Sequence, residues 1–331
     1  MEYISIGSSN VKASRITFGA WAIGGWMWGG SERSDAVEAI LAALDEGVTS
    51  IDTAPVYGQG LSEEIVGEAI KGKDRTKLQL MTKFGMRWDL AKGDHAFEST
   101  DNHGNPISVY KYASRESVIT ECENSLKRLG TDYIDLYQIH WPDITTPIAE
   151  TMEAVDRLLQ QGKILAAGVS NYNVSQMEEA MKVVPLASNQ VPYSMLERSI
   201  EKDVVPFSLK NNVSIIAYSP LQRGLLTGKI KPGHQFGEGD HRPNTKFYKE
   251  ENIRRTNEFL SKIKPMADEK VATLSQLVLR WTLEQPGITI ALAGARNKQQ
   301  AVDNAKAGSL TLTTDEMNQI NKHLGDLQLV F

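Results

Sequence analysis

GVTSIDTAPVYGQGLSEEIVGEAI, residues 47–70, carries the fold in miniature. Residues 49–53, TSIDT, form a short β-branched run with Asp52 near its end. A Gly- and Pro-containing loop with Tyr57 follows, and residues 62–70 recur at helical spacing. This is one strand–loop–helix unit, and the same alternation runs through the chain. Candidate strands fall at 15–19, 49–53, 78–83, 134–140, 164–169, 186–190, 214–218 and 288–292. Candidate helices include 34–46, 62–70, 114–129, 147–161 and 174–181, and one more runs from 313 to about 324. SDAVEAILAALDEG (34–47) shows the grammar, with a Ser or Asp start, apolar residues at helical spacing and a Gly stop. Helix-to-Gly endings are also expected at Gly67, Gly130 and Gly162.

Eight strands, each leading to a helix, predict an α/β fold, a (β/α)8 TIM barrel. Chains of 331 residues can form one such domain, and no Pro- or Gly-rich linker divides this one, so residues 1–331 are expected as a single domain. Two connections, 84–113 and 219–249, exceed simple βα loops, and both follow strands. In a barrel both lie on the C-terminal face, where connections of this length are usually functional or disordered.

Composition excludes several classes. No apolar run approaches a membrane span, and the first residues lack a basic segment followed by an apolar stretch. Net charge is −5 with no basic block, which argues against nucleic acid and anionic membrane as partners. The one cysteine, Cys122, precludes an intrachain disulfide and lies in a helical pattern, so it reads as a buried thiol. A cytoplasmic monomer is the expectation.

Chemistry collects at strand ends. Asp52, Lys83 and His140 each end or nearly end a strand, and Tyr57 follows the second strand. Singly, each has an ordinary explanation as a loop cap, a solvated charge or a satisfied backbone partner. Together on one barrel face they make a proton-transfer device. A free tyrosine has a pKa near about 10, and a neighbouring cation such as Lys83 favours the phenolate and lowers that value. Asp52 keeps Lys83 charged, and His140 can hold a substrate oxygen. Tryptophans gather on the same side: Trp21, Trp26 and Trp28 after the first strand, Trp88 after the third, Trp141 after the fourth. Trp21, Trp28, Trp88 and Trp141 are the candidate substrate contacts.

Other chemistries lack their motifs. No G-x-G-x-x-G exists, because Glu63 replaces the third Gly after Gly58 and Gly60. Gly67-x4-Gly72-Lys73 has Asp74 where a P-loop needs Ser or Thr, and it closes a helix instead of opening one. No H-E-x-x-H occurs and the six histidines show no ligand spacing, so no metal is expected.

Beyond 47–70, the chain carries MTKFG (81–85), YIDLYQIHWPD (133–143), GKILAAGVSNY (162–172), NQVPYSMLER (189–198), IAYSPLQRGLLTGK (216–229) and GARNKQQAVDN (294–304). With these motifs in this order it resembles the aldo-keto reductase superfamily over essentially its full length. It looks closest to the bacterial branch of general-stress and inositol-associated reductases, and more distantly to potassium-channel β subunits. The resemblance implies hydride transfer between NADP(H), with NADPH preferred over NADH, and a small aldehyde or ketone. It implies Asp52, Tyr57, Lys83 and His140 as the catalytic four, with Tyr57 as general acid. Ser170, Asn171 and Gln190 match positions that hold the nicotinamide carboxamide, and Tyr218 matches the residue stacked on its ring. Ser219, Pro220, Leu221, Arg223, Gly224 and Lys229 match the loop around the diphosphate. Gly294, Arg296, Gln300 and Asn304 match the adenosine end, and Trp21 the cofactor–substrate junction. Ala20 departs from the Thr found in many relatives. The stretch after Lys83, with Trp88, His95, Glu98, Asp101 and His103, is not widely shared and is expected to set substrate choice.

Three other functions compete. In a lyase, Lys83 would form a Schiff base, which needs an apolar pocket and not an adjacent Asp52. A binding module would use the dinucleotide as a redox signal. An alcohol dehydrogenase would run the same chemistry in reverse.

Overall fold

The computed structural model describes residues 1–30 and 32–331. It opens with an antiparallel hairpin, β1 (Tyr3–Ser5) and β2 (Lys12–Ser14). The barrel begins with β3 (Ile16–Gly19), β4 (Ser50–Asp52) and β5 (Gln79–Phe84). An excursion follows: β6 (Met86–Arg87), β7 (Asp94–Thr100) and β8 (Pro106–Lys111). The barrel continues through β9 (Ile134–Ile139), β10 (Ile164–Ser170), β11 (Leu186–Pro192), β12 (Ser214–Tyr218) and β13 (Ile288–Gly294). Neighbours pair in parallel and β13 returns to β3, so the eight barrel strands close. The predicted (β/α)8 barrel is the observed one.

Helices cover the outside: α1 (Arg33–Asp45), α2 (Leu61–Ile70), α3 (Arg115–Leu129), α4 (Ile148–Gln160), α5 (Val174–Met181), α6 (Val204–Asn211), α7 (Glu250–Glu269), α8 (Leu274–Leu283), α9 (Lys298–Lys306) and α10 (Thr314–Gly325). Gly130 closes α3 in the left-handed conformation, as its sequence position suggests. Gly67 does not end a helix. It sits inside α2, where a Cβ would lie 2.6 Å from the Arg128 carbonyl oxygen, so close helix packing explains the glycine. Cys122 is buried, and burial pushes its thiol up to about 12.

The interior of the barrel follows the period-two rule. Met81, Leu136, Ala166, Ile216, Ile290 and Leu292 fill it, and Ile6, Val11 and Ala13 of the opening hairpin plug its N-terminal end. Residues two further along each strand point the same way, toward the C-terminal mouth. Lys83 therefore follows Met81, Gln138 follows Leu136 and Tyr218 follows Ile216.

The stretch 84–113, expected as a long loop, is a three-stranded antiparallel sheet in the order β6-β8-β7. Its turn is an Asp101 cap, whose Oδ1 accepts the N–H groups of His103 and Asn105 at 2.8 Å each. These strands are half-exposed, so they lacked the apolar signature of the barrel strands. The 219–249 connection contains only short 3-10 turns, at Gln222–Thr227, Arg242–Asn244 and Lys246–Tyr248.

Gly168 tests the packing inside the barrel. An added Cβ would lie 2.5 Å from Ser188 Oγ, 2.9 Å from Gln138 Cγ and 3.2 Å from Leu136 Cδ1. Gly168→Ala should lower stability by about 1–3 kcal/mol, the usual penalty of overpacking. The fall in thermal midpoint measures it, and an unchanged midpoint would mean that the strand shifts freely.

Candidate active site

A cavity of about 550 Å³ opens at the C-terminal mouth of the barrel. Its floor is a buried charge pair. Lys83 Nζ donates to Asp52 Oδ1 at 2.6 Å and to the Thr53 carbonyl at 2.9 Å. Asp52 Oδ2 accepts from Gln190 Nε2 at 2.9 Å and Gln138 Nε2 at 3.4 Å. Burial alone would lower the Lys83 ammonium, but the charge and hydrogen bond of Asp52 hold it above its ordinary value. A permanently charged lysine is the wrong state for a Schiff-base nucleophile.

Tyr57 lies above this pair, with Lys83 Nζ 5.1 Å from its ring centroid. Its ring meets His140 edge-on at 5.6 Å and is stacked against Trp21 at 6.0 Å. Burial pushes the Tyr57 hydroxyl above the ordinary phenol value, Lys83 opposes this, and Asp52 adds to it. The direction expected from Lys83 alone is thus reversed, because burial outweighs one cation. The hydroxyl is a proton-bearing group at neutral pH. Burial and the nearby Lys83 hold the His140 imidazole well below its usual value, so it is neutral.

One wall carries the polar set read from the sequence. Ser170 Oγ donates to the Gln190 carbonyl at 2.8 Å, Asn171 Nδ2 to the His140 carbonyl at 3.1 Å, and Tyr218 Oη to Asn171 Oδ1 at 3.0 Å. Ser170 and Asn171 do not cap a helix, since Asn173 caps α5 in a reciprocal pair with Gln176. Ser219, Gln222 and Arg223 all have φ near +50° and Gly224 has φ +101°. Non-glycine residues in this region cost about 1–3 kcal/mol each and concentrate where a backbone is shaped for a ligand. Past this turn the cavity runs by Lys229 to the start of α9, where Arg296, Gln300 and Asn304 line it. Asn304 Nδ2 donates to the Gly294 carbonyl at 3.0 Å, and Gln300 Oε1 accepts the Arg296 N–H at 3.0 Å.

These residues fit a dinucleotide. Arg223 Nε is buried with no partner, and the Arg296 guanidinium has none among the described residues. Two uncommitted guanidinium groups, a strained turn and a helix N-terminus along one wall suit a diphosphate and an anionic adenosine end.

Every residue that the sequence reading assigned to the cofactor lines this cavity. Asp52, Tyr57 and His140 line it too, while Lys83 lies fully buried beneath. Trp21, Trp28 and Trp141 reach it, but Trp88 does not. The chain bends at Trp88 just after β6, and the indole packs against the apolar cluster of Trp26, Ala54, Val56, Met86 and Val109 without lining the cavity. From the excursion, Met86 and Phe97 reach the cavity instead. Sequence reading missed these two, and Arg242 and Asp303 as well, because nothing local marks a side chain brought in by a tertiary turn. Among the described residues no helix is long and apolar enough to cross a membrane, and no cluster of His, Cys, Asp or Glu could hold a metal.

The fold and the site define a (β/α)8 barrel with a charged floor and a polar wall at its C-terminal mouth. The model of the aldo/keto reductase family matches residues 15–324, and the chain belongs to that family. It is 44% identical to the aldo-keto reductase YhdN of Bacillus subtilis, covering 97% of this chain and 93% of that protein. It is 36% identical to the NADH-specific methylglyoxal reductase of Escherichia coli, covering 95% of each. Among solved structures, the glycerol dehydrogenase AKR11B4 of Gluconobacter oxydans superposes with a TM-score of 0.86 at 38% identity, covering 98% of this chain and 95% of that one. The family reduces carbonyl groups by hydride transfer from a nicotinamide cofactor, and a small carbonyl substrate fits it.

His140 gives a pH test. Its pKa is depressed in the folded state, so between that value and the unfolded value near about 6.5 the unfolded chain binds the extra proton. Its contribution therefore falls as pH drops below the unfolded value and levels off below the folded one. The His140 ring resonances should show no titration between pH 8 and 6, and a normal titration would refute the neutral assignment.

Proposed function

We propose that this protein reduces a small neutral aldehyde or ketone with NADPH, with Tyr57 as the general acid. The carrying observation is Tyr57 seated over a lysine that is itself clamped by Asp52 beneath the cavity. Hydride is what the chain itself lacks, and the nicotinamide supplies it when bound. Tyr57 donates its proton to the carbonyl oxygen while the carbonyl carbon takes the hydride. The charge of Lys83 stabilises the phenolate left behind, and Asp52 holds Lys83 in place. Neutral His140 directs a hydrogen bond to the same oxygen. Ser170, Asn171 and Gln190 hold the carboxamide, Tyr218 lies against the ring, and Trp21, Trp28 and Trp141 shape the substrate end.

Tyr57→Phe removes the proton donor and nothing proposed to hold NADPH. We expect kcat to fall by roughly 10²–10⁴-fold, the usual worth of a positioned general acid, with NADPH affinity unchanged. A panel followed by NADPH absorbance measures this. It should begin with methylglyoxal and, in the oxidative direction, glycerol, the compounds in two relatives' names. Near-normal turnover would move the acid role to His140.

Preference for NADPH rests on Arg296. The guanidinium stands beside the N-terminus of α9, where a 2′-phosphate would gain both a forked cation and the helix field. Lys298 adds less, since it is exposed and 3.5 Å from Glu38. A charge-assisted hydrogen bond contributes roughly 1.5–3 kcal/mol, so Arg296→Ala should weaken NADPH binding about ten- to a hundredfold and leave NADH nearly unchanged. The Escherichia coli relative is named as NADH-specific, so both cofactors are measured side by side. Equal losses for both cofactors would assign Arg296 to the loop or the adenine.

A further inference from the structure

The left-handed turn at 219–224 is held by Arg242, which lines the cavity and donates from Nη1 to the Arg223 carbonyl at 3.3 Å, and from behind by Tyr248 and Asn252, which do not line it. Tyr248 is buried, and its single O–H is shared between two successive carbonyl oxygens, Gln222 at 3.1 Å and Arg223 at 2.9 Å. Burial pushes that hydroxyl up to about 12, so it stays a donor. Its ring packs with Leu225, Ile230, Phe247 and Ile253 in a separate apolar cluster under the turn. Asn252 anchors that cluster in turn. Fully buried, it donates from Nδ2 to the Lys246 and Val330 carbonyls at 2.9 Å each, and its Oδ1 accepts the Val330 N–H at 2.8 Å. This straps residue 330 across the cluster, and Leu329 packs onto it.

A strained backbone persists only where its surroundings over-determine it. Gln222 and Arg223 both have φ near +50°, and Tyr248 meets the carbonyls of both, where Arg242 reaches only the second. We infer that Tyr248, braced by Asn252, is a positioning residue that fixes the Gln222–Gly224 turn in its ligand-binding shape before the dinucleotide arrives. The order of the turn is then already set when the diphosphate binds, and affinity does not lose the ordering entropy. This inference rests on the reading of that turn as the diphosphate site.

Tyr248→Phe keeps the ring in its cluster and removes only the hydroxyl. Binding is read by tryptophan fluorescence, using NADPH and the fragment adenosine 2′,5′-bisphosphate, which lacks the second phosphate of the diphosphate and the nicotinamide half. We expect NADPH to bind about tenfold more weakly, a change of one decade in Kd, with the fragment unchanged and kcat at saturating cofactor within about twofold. Arg223→Ala is the control. If it weakens NADPH and Tyr248→Phe does not, the strut is refuted and the diphosphate reading stands. If neither variant weakens NADPH, the diphosphate reading fails and takes the strut with it. Equal weakening of NADPH and the fragment would mean general loosening, and would also overturn the inference. Amide exchange on the unsubstituted protein is a second arm. Residues 222–226 should already exchange slowly without ligand, and slow exchange only after NADPH is added would contradict preorganisation.

Discussion

The site depends on one buried contact, Lys83 Nζ to Asp52 Oδ1 at 2.6 Å. Taking both charges out of water is expensive, and buried pairs of this kind are weak evidence for stability. The surroundings make it tolerable. Thr53 offers the ammonium a carbonyl, while Gln190 and Gln138 approach the second carboxylate oxygen. What the pair provides is a fixed positive charge under Tyr57, in a place where burial otherwise pushes the hydroxyl up. The proton transfer proposed for Tyr57 needs that charge close by and immobile.

Strand register delivers the contact. Asp52 pairs with Met81 across β4 and β5, so Lys83 stands one inward step higher than its partner and can reach down to it. Gln138 pairs with Lys83 across β5 and β9, and Gln190 with Ser170 across β10 and β11. A slip of one residue in any pair would turn these side chains outward.

The walls of the cavity come from loops that are tied to one another. Trp26 Nε1 donates to the Thr100 carbonyl at 3.0 Å and Asn102 Nδ2 to the Gly24 carbonyl at 2.8 Å, which joins the excursion to the first loop. His241 Nδ1 meets the Met27 carbonyl at 2.6 Å, which joins the 219–249 connection to the same loop. Trp21 and Trp28 lie between these ties, packed on the His241 ring at 5.1 and 5.3 Å. Cavity-facing surface is thereby built on irregular backbone that is tied at several points.

The sequence by itself determined the barrel, because alternation of buried strands and amphipathic helices is local and repeats eight times. It also determined Asp52, Tyr57, Lys83 and His140 as a set, since strand ends in a barrel share one face. The polar wall was legible only through its resemblance to a family. What tertiary structure alone decided was sign and reach. Whether Tyr57 sits above or below its ordinary pKa depends on burial, which no spacing encodes. Trp88 looked as exposed to the site as Trp28, yet past a bend after Arg87 it does not line the cavity, while Phe97 does. Tyr248 and Asn252 had no local signal at all, because their partners lie between 6 and 78 residues away along the chain. A hydrogen bond across such a separation exists only once the chain has folded, and the sequence near either partner need carry no trace of it.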